Sequence, residues 1–429
     1  MALTTFRFFA FAILVVVLYF IIPKKWRWLV LLGASLVFYA FAGISNLFFI
    51  LITSASAYGA ARWIDRLAQE CSHFLKENRN ILSREERKAF KTRNVNHRKA
   101  ILILTLCLNF GILCVFKYSN FFLKQVNIVL HHIEVPQTDM LNLLIPLGIS
   151  FYTFTSMGYL IDVYWEKVQP QKNFPRFLLF VSFFPQITQG PISDYRQLSG
   201  QLYEGHDFTY HNFSWGLQRF FWGLAKKLIV ADIAAVFVQQ MFDYYYWCSS
   251  LSVFIGILLY ALQIYADFSG YMDMMCGLCE VMGITLAENF ERPYFSKSIS
   301  EYWRRWHITL GAWFKNYIYY PAGFSRFAIS IGKKGQKVFG EKFSRDMPST
   351  IALIVVWFVT GLWHGANWGY IIWGLINGLF IIATLWLEPF YARMRRLFHI
   401  RETSSGWRAF QVIRTFVLVA FIKILPEVG

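Results

Sequence analysis

The chain contains a succession of apolar runs, most of them near the roughly 20 residues that a helix needs to cross the hydrocarbon core of a bilayer. Of its 429 residues, 56% are hydrophobic and only 16% are charged, against about 25% charged residues in an ordinary soluble domain. A soluble fold with 44 Phe, 23 Tyr and 16 Trp would expose large apolar patches, which soluble monomers avoid. The predicted fold class is therefore all-α, with many membrane-spanning helices, and a soluble enzyme, a disordered regulator and a disulfide-stapled secreted module are excluded.

The apolar runs divide the chain into expected spans. They lie at 6–22, 28–44, 47–64, 100–116, 141–165, 177–188, 217–242, 251–267, 268–286, 351–370, 371–387 and 412–425. No small-residue cleavage site follows the first run, so we expect it to be retained as a span rather than removed as a signal peptide. We expect one transmembrane domain over 1–429, made of N-terminal spans (1–64), a basic loop (65–99) and a helical core (100–429).

The net charge of +17 is concentrated in the connections between these runs. Residues 65–99 carry ten Lys and Arg against five Asp and Glu, and 323–349 and 388–408 are also predicted to be basic loops. Cytoplasmic loops of membrane proteins are enriched in Lys and Arg, which anionic lipid attracts. We therefore expect these three segments in the cytoplasm and the N-terminus outside. Because the cations do not form one amphipathic stripe, nucleic acid is not an expected partner.

Two segments are too polar or too interrupted to be simple spans. Phe177–Thr188 contains Pro185 and precedes Gly190-Pro191, which predicts a re-entrant or broken helix. Glu301–Tyr320 contains three Trp and four side chains that are cationic or titratable, namely Arg304, Arg305, His307 and Lys315. This composition predicts an interfacial or cavity-lining helix.

Ionisable groups inside the apolar runs are candidate functional residues, because burying a charge in a membrane is costly. Asp162, Asp232, Asp267, Asp273 and Glu280 fall in this class, and the simpler interpretation is pairing with Arg219, Lys226 or Lys227. Gln263, Asp267 and Tyr271 recur every four residues and so share one helical face. This polar stripe is expected to line a cavity.

His307 and His364 differ from the other seven histidines, which lie in or beside polar connections. His364 lies in the segment Thr360-Gly-Leu-Trp-His-Gly-Ala-Asn-Trp368, and His307 ends Tyr302-Trp-Arg-Arg-Trp-His307. Imidazole transfers protons near neutral pH, and a partly dry, Trp-lined site can hold it neutral as a base. A buried histidine bonded to backbone remains the alternative for each of them.

Several other chemistries find no support in the sequence. There is no H-E-x-x-H or close His/Cys set for a metal, no G-x-S-x-G nucleophile turn and no phosphate-binding glycine loop. We therefore expect neither a bound metal nor a tightly bound cofactor. Cys276 and Cys279 form a C-x-x-C inside an apolar run, where packing is a better explanation than redox chemistry.

Six segments in this order resemble the membrane-bound O-acyltransferase family, in its bacterial alginate O-acetyltransferase-like branch. They are Pro146-Leu-Gly-Ile-Ser-Phe-Tyr-Thr-Phe, Phe184-Pro-Gln-Ile-Thr-Gln-Gly-Pro-Ile192, Tyr265-Ala-Asp-Phe-Ser-Gly-Tyr-Met-Asp273, Asn289-Phe-Glu-Arg-Pro-Tyr294, Tyr302-Trp-Arg-Arg-Trp-His-Ile-Thr-Leu310 and Gly361-Leu-Trp-His-Gly-Ala-Asn-Trp368. Each motif alone is weak, but the ordered set is specific.

The resemblance implies a ring of about 10–12 transmembrane or re-entrant helices around a central funnel, in the bacterial cytoplasmic membrane. It implies acetyl-CoA as the acyl donor, a cell-envelope polysaccharide or peptidoglycan as the acceptor and a separate extracytoplasmic SGNH-type partner. His364 and His307 map onto the two family histidines. His364 is the expected base, and His307 would polarise the acyl carbonyl or orient the pantetheine arm of the donor. The expected substrate-binding residues are Trp303, Arg304, Arg305, Trp306, Trp363, Asn367 and Asp267, with Lys333, Lys334 and Lys337 as further counter-charges for phosphate.

Two departures accompany this interpretation. Gly311 and Lys315-Asn316 stand where the family usually has Ser and Arg-Asp, and Lys lacks the planar fork with which Arg makes bidentate contacts. The chain also stops soon after its last apolar run, where alginate-type relatives usually continue.

The alternative functions are a transporter or flippase of polysaccharide or lipid-linked substrate, and D-alanyl transfer to teichoic acid from a carrier-protein thioester. An inactive scaffold is a third alternative.

Overall fold

The computed structural model describes residues 3–428. Regular structure in these residues is helical, and the pairing of Phe290 with Trp306 is a single isolated bridge. This confirms the all-α prediction. Its physical cause is that hydrocarbon offers no partner to a backbone N–H or C=O, so that each segment must satisfy its own hydrogen bonds.

The helices follow one another with short connections. Those that begin before residue 250 are α1 (Phe6–Ile21), α2 (Arg27–Ala40), α3 (Ile44–Glu77), α4 (Arg84–His132), α5 (Ile149–Tyr164), α6 (Phe174–Ser182), α7 (Phe184–Ile187), α8 (Tyr195–Tyr203), α9 (Tyr210–Ala225) and α10 (Asp232–Asp243). Those that follow are α11 (Ser250–Val281), α12 (Ile299–Arg305), α13 (Ile308–Phe314), α14 (Tyr320–Gly323), α15 (Arg326–Phe339), α16 (Glu341–His364), α17 (Trp368–Trp386), α18 (Glu388–Leu397) and α19 (Ser405–Val428). π-Helical turns join α9 to α10 and α13 to α14.

Six helices of the described chain are long and apolar enough to cross a membrane, namely α3, α4, α11, α16, α17 and α19. The apolar helix α1 is shorter, with 16 residues. Several helices leave large apolar side chains uncovered by protein, such as Leu104 at 70% exposure and Phe122 at 62%. The chain is therefore a multi-pass membrane protein, as predicted.

The three basic segments predicted as loops are largely helical, so this part of the prediction is wrong. α3 continues to Glu77 and α4 already begins at Arg84, while α15 and α18 occupy most of the other two segments. Lys, Arg and Glu are good helix formers. A reciprocal cap fixes the start of α4, where Ser83 accepts from the Glu86 N–H at 3.2 Å and the Glu86 carboxylate accepts from the Ser83 N–H at 2.8 Å.

The two spans predicted over 251–267 and 268–286 are also a single helix, the 32-residue α11. The prediction placed a boundary at Asp267, but its carboxylate is 2.6 Å from Lys227 Nζ. A paired charge does not have to interrupt a buried helix. The predicted break within Phe177–Thr188 is confirmed, because α6 ends at Ser182 and α7 begins at Phe184.

The chain divides by its packing into two compact units, while the prediction of one transmembrane domain over 1–429 stays a prediction. One unit contains the residues up to Phe220 with Met274–Leu286, and the other contains Phe221–Asp273 with the residues from Ala287 onward. In the first unit, α3 packs against α4 and α5, and α2 packs against α6. In the second, α16 packs against α15 and α17, and α17 also packs against α19.

Glycines allow α16 and α17 to approach at backbone distance. A Cβ added to Gly374 would lie 2.4 Å from the Trp357 carbonyl oxygen and 3.0 Å from the Gly361 Cα. A Cβ added to Gly361 would lie 2.5 Å from the Tyr370 carbonyl oxygen. Small residues at such crossings are how membrane helices gain close packing, and here the crossing fixes the end of α16 at which His364 stands.

Replacing Gly374 with Ala is expected to lower the unfolding temperature of the detergent-solubilised protein, because backbone must move to admit the methyl group. Overpacking of this kind costs about 1–3 kcal/mol. Gly111→Ala in α4 is the matched control, since its Cβ would meet nothing within 4 Å. Equal unfolding temperatures for the two variants would contradict the close crossing.

Candidate active site

His307 and His364 line one cavity of about 980 Å³ in the second unit. His364 is the last residue of α16, and His307 lies between α12 and α13. Trp303, Arg304 and Trp306 line the same cavity. The two histidines and three of the predicted substrate-binding residues are therefore brought together although they come from separate parts of the sequence.

The cavity follows one face of α16. The face is defined by side chains that recur at helical spacing, namely Arg345, Asp346, Ser349, Leu353, Val356, Trp357, Thr360 and His364. From Arg345 to His364 the helix rises about 28 Å at 1.5 Å per residue, close to the roughly 30 Å thickness of a hydrocarbon core. A ligand in this cavity has room for a long, narrow shape.

Cationic side chains also line the cavity, and two of them lie at the end of α16 opposite His364. Lys342 and Arg345 lie at the start of α16, and Lys315 follows α13. Lys342 Nζ donates to the Trp386 carbonyl oxygen at 2.7 Å, and Arg345 Nε is 2.8 Å from the Asp346 carboxylate. Sequence reasoning missed Lys342 and Arg345 because it placed them in a loop. The sequence feature that could have identified Lys342 and Arg345 is their spacing, because they extend toward the N-terminus the helical periodicity of the face that ends at His364.

The predicted counter-charges Lys333, Lys334 and Lys337 lie elsewhere. They line a separate groove of about 430 Å³ along α15, together with Arg326. The cations that line the histidine cavity are instead Arg304, Lys315, Lys342 and Arg345.

His307 is held in an uncommon backbone conformation, with φ of 48°. Few residues other than glycine adopt this left-handed region, and it persists where the surroundings enforce it. Two backbone hydrogen bonds do so: Ile308 N–H donates to the Asn289 carbonyl oxygen at 3.1 Å, and Glu291 N–H donates to the Arg305 carbonyl oxygen at 3.0 Å. The direction of the His307 side chain is therefore set by this turn and not by the helical geometry of α12 or α13.

Asn289 contacts the His307 ring. Its side-chain oxygen lies 3.3 Å from His307 Nδ1 and also accepts from the Thr309 N–H at 2.9 Å and the Thr309 hydroxyl at 2.8 Å. The opposite ring nitrogen, Nε2, is buried and has no hydrogen-bond partner among the described residues. An unpaired buried polar atom costs about 1–3 kcal/mol, which is a reason to expect a ligand there.

The electrostatic surroundings of the two imidazoles differ. His307 lies outside the candidate membrane-spanning helices, and burial lowers the pKa of its ring to about 3, an effect to which the nearby His364 adds. A neutral His307 is therefore expected at every physiological pH. His364 stands at the carboxyl end of α16, where the helix dipole favours positive charge.

Tryptophan packs around both imidazoles. The Trp363 ring centroid is 4.7 Å from that of His364 and 6.0 Å from that of His307. Trp303 donates to the Asn377 side-chain oxygen at 3.1 Å and packs against Trp357 and Trp373. This aromatic wall restricts water beside the His307 ring, which is buried, whereas His364 is exposed.

A buried lysine packs against Trp306. Lys423 Nζ of α19 lies 3.5 Å from the Trp306 ring centroid and donates to the Tyr294 hydroxyl at 3.0 Å. Lys423 is only 8% exposed, so it is part of the packing around this ring. Because Trp306 precedes His307, this contact also fixes the turn that carries the imidazole.

Three other predicted residues have structural partners. Arg305 is 2.7 Å from the Glu301 carboxylate, and Asn367 accepts from the Gly369 N–H at 3.0 Å to cap α17. Asp267 pairs with Lys227, as the simpler interpretation predicted, and Asp273 lies 2.6 Å from Lys226 Nζ. None of Arg305, Asn367, Trp363 and Asp267 is among the described residues that line the cavity.

Cysteine and metal chemistry have little basis in the described residues. All six cysteines are free, and Cys276 and Cys279 are buried. No cluster of three or more His, Cys, Asp or Glu suited to a metal ion occurs within residues 3–428.

A cysteine placed at Leu353, on the cavity face of α16, is expected to react with a water-borne charged thiol reagent. The experiment uses a background without native cysteines, and Val355→Cys is the control because Val355 is exposed on another part of the same helix. At Val355 lipid excludes the reagent and suppresses the reactive thiolate. Labelling at 355 but not at 353 would contradict a solvent-filled cavity.

The chain is similar to several curated proteins. It matches the sequence model of the MBOAT, membrane-bound O-acyltransferase, family over residues 96–333, more than half of its length. It is 36% identical over 280 residues to "Probable alginate O-acetylase AlgI" of Pseudomonas syringae, covering 65% of this chain and 50% of that protein. It is 34% identical to the protein of the same name in Azotobacter vinelandii, and that alignment covers 87% of this chain and 66% of the relative. It is 33% identical to "Peptidoglycan O-acetyltransferase" of Helicobacter pylori, with 78% of this chain and 63% of that protein covered.

The chain thus spans between half and two thirds of the length of these curated relatives. The family match includes the Asn289 segment and His307, and the wider alignments cover most of the chain. Together with the helical membrane fold and the cavity that joins His307 to His364, they show that this chain belongs to the membrane-bound O-acyltransferase family.

Proposed function

We propose that the protein is a membrane O-acetyltransferase that takes acetyl groups from cytoplasmic acetyl-CoA for transfer to a hydroxyl of a cell-envelope polysaccharide or peptidoglycan. The observation that carries the proposal is a single cavity that contains two imidazoles and several cations, with Arg345 about 28 Å from His364 along α16. Relatives named for alginate and peptidoglycan O-acetylation support the acceptor class.

The cavity suits the donor in both shape and charge. Acetyl-CoA has phosphates at one end, a long pantetheine arm and a thioester at the other end. Lys315, Lys342 and Arg345 are placed to bind the phosphates by charge-assisted contacts, while the arm extends along the α16 face. The thioester then reaches the level of His307 and His364.

The reaction needs a base at the thioester. His364 takes the proton of the acceptor hydroxyl as its oxygen attacks the thioester carbonyl carbon. When the tetrahedral intermediate collapses, the C–S bond breaks and the proton passes from His364 to the departing CoA sulfur. The helix dipole at the end of α16 stabilises the imidazolium that forms between these two steps.

The donor end of the cavity also suggests the orientation of the chain. Lys342, Arg345 and Glu388 come from the basic segments 323–349 and 388–408, and excess Lys and Arg favours the cytoplasmic side. The proposal places these segments and 65–99 in the cytoplasm, the N-terminus outside, and the protein in the bacterial inner membrane. An extracytoplasmic SGNH-type protein would then receive or direct the acetyl group.

The direct experiment reconstitutes the chain in lipid vesicles with radiolabelled acetyl-CoA, an SGNH-type partner and candidate glycans. Label on the partner or glycan supports the proposal. D-alanyl transfer from a carrier-protein thioester without use of acetyl-CoA would replace it with the teichoic acid alternative. Movement of glycan across the vesicle that does not need His364 would support a transporter.

His364→Ala is expected to reduce acetyl transfer by at least a hundredfold, since a general base contributes about 10²–10⁴-fold. Thermal unfolding should change little, because the side chain lines a cavity. His97→Ala, at an exposed position of α4, is the matched control and should keep full activity. Equal activities for the two variants would exclude His364 as the base.

Lys342→Gln is expected to raise KM for acetyl-CoA several-fold with little change in kcat, because it removes a charge from the phosphate end. An acetyl-pantetheine donor, which lacks the nucleotide phosphates, should be used equally by wild type and variant. Lys334→Gln is the control, because Lys334 lines the separate groove on α15. An equal increase in KM for acetyl-pantetheine would contradict the assignment of Lys342 to phosphate binding.

A further inference from the structure

The contacts of Asn289 determine which nitrogen of His307 carries the proton. A backbone N–H can only donate, so the Asn289 atom that lies 2.9 Å from the Thr309 N–H is the amide oxygen. The Thr309 hydroxyl donates to the same oxygen at 2.8 Å. This oxygen faces His307 Nδ1 at 3.3 Å, and an attractive contact between them requires a proton on Nδ1.

A neutral imidazole has one N–H, so a proton on Nδ1 leaves Nε2 with a lone pair only. The ring has no second proton while it stays neutral, and its burial among Phe268, Trp306 and Trp363 disfavours the imidazolium. Nε2 is the ring nitrogen without a hydrogen-bond partner in the part of the chain that the structure describes. His307 lines the cavity, so a ligand that reaches Nε2 from the cavity must offer a donor.

We propose that Asn289 is a positioning residue that fixes His307 in the Nδ1–H form, and that His307 Nε2 accepts a hydrogen bond from an amide N–H of the donor's pantetheine arm. The second part rests on the proposed acetyl-CoA function. The sequence leaves two roles open for His307, polarising the acyl carbonyl and orienting the pantetheine arm of the donor. This arrangement favours the second role. Polarising the acyl carbonyl would need a hydrogen-bond donor, and a lone pair would instead repel that oxygen.

The geometry agrees with this assignment in two further respects. His307 lines the same cavity as Lys315, Lys342 and Arg345, so it lies along the path proposed for the donor. In CoA the amide nearest the thioester is separated from the sulfur by two methylene groups. A ring that binds this N–H therefore positions the thioester beside the second imidazole, His364.

The tautomer is measured directly by ¹⁵N NMR of the full chain in lipid with labelled histidine, and His307→Gln identifies the His307 signals. Wild type should show a protonated Nδ1 and an unprotonated Nε2. Asn289→Asp keeps an acceptor oxygen and should keep this tautomer, and so should Thr309→Val, because the backbone N–H still orients Asn289. Asn289→Ala should shift the ring toward the Nε2–H form. A wild-type ring with the proton on Nε2 would overturn the inference.

The substrate contact is tested with two short acetyl donors, S-acetyl-N-acetylcysteamine and its analogue with an ester oxygen in place of the amide N–H. Wild type should prefer the amide by about five- to tenfold in kcat/KM, the effect of one hydrogen bond. Asn289→Ala should lose this preference and Asn289→Asp should retain it. Equal use of both donors by wild type would overturn the contact.

The two experiments separate this inference from the function on which it partly rests. The NMR measurement needs no substrate, so it decides the role of Asn289 whether or not acetyl is transferred. If wild type uses no acetyl thioester at all, the proposed function fails and the pantetheine contact fails with it. If acetyl is transferred without amide preference, only the contact is wrong.

Discussion

A lipid environment obliges a protein to satisfy its polar groups internally, and most features of this structure follow from that constraint. Lys227 pairs with Asp232 and Asp267, and Lys226 pairs with Asp273, where helices rich in apolar residues pass one another. The helix-breaking segment around Phe183 is enclosed by buried neighbours. His307 Nε2 is one of several buried side-chain atoms that lack a partner within the described chain, and among them it is the one whose residue lines the histidine cavity.

The site depends on backbone geometry at two places. The glycine crossing of α16 and α17 fixes the position of His364, and the left-handed turn at His307 fixes the other imidazole. Neither histidine lies in the middle of a regular helix. Placement at helix ends gives the two rings opposite surroundings, since His364 meets the negative end of α16 and His307 precedes the positive end of α13.

The sequence was sufficient for the fold class, the family and the pair of histidines, because composition, apolar run length and ordered motifs are local properties. It was insufficient where the outcome depended on contacts between distant segments. The sequence predicts that Asp267 lines a cavity or pairs with Arg219, Lys226 or Lys227, and only the packed structure identifies Lys227 as the partner. Asn289 was part of a quoted motif without a role, since no spacing rule relates it to a ring 18 residues away. The many charged residues around Lys342 predict a loop, but Lys342 lies in the first turn of α16.

The Lys423 contact has a consequence for how the site is assembled during synthesis. Trp306 and His307 leave the ribosome long before α19, yet the Lys423 side chain that contacts the Trp306 indole belongs to α19. The support for the His307 turn is thus completed only after the last helix of the described chain has entered the bilayer. A nascent chain that ends before α19 would hold His307 and His364 without this support for the His307 turn.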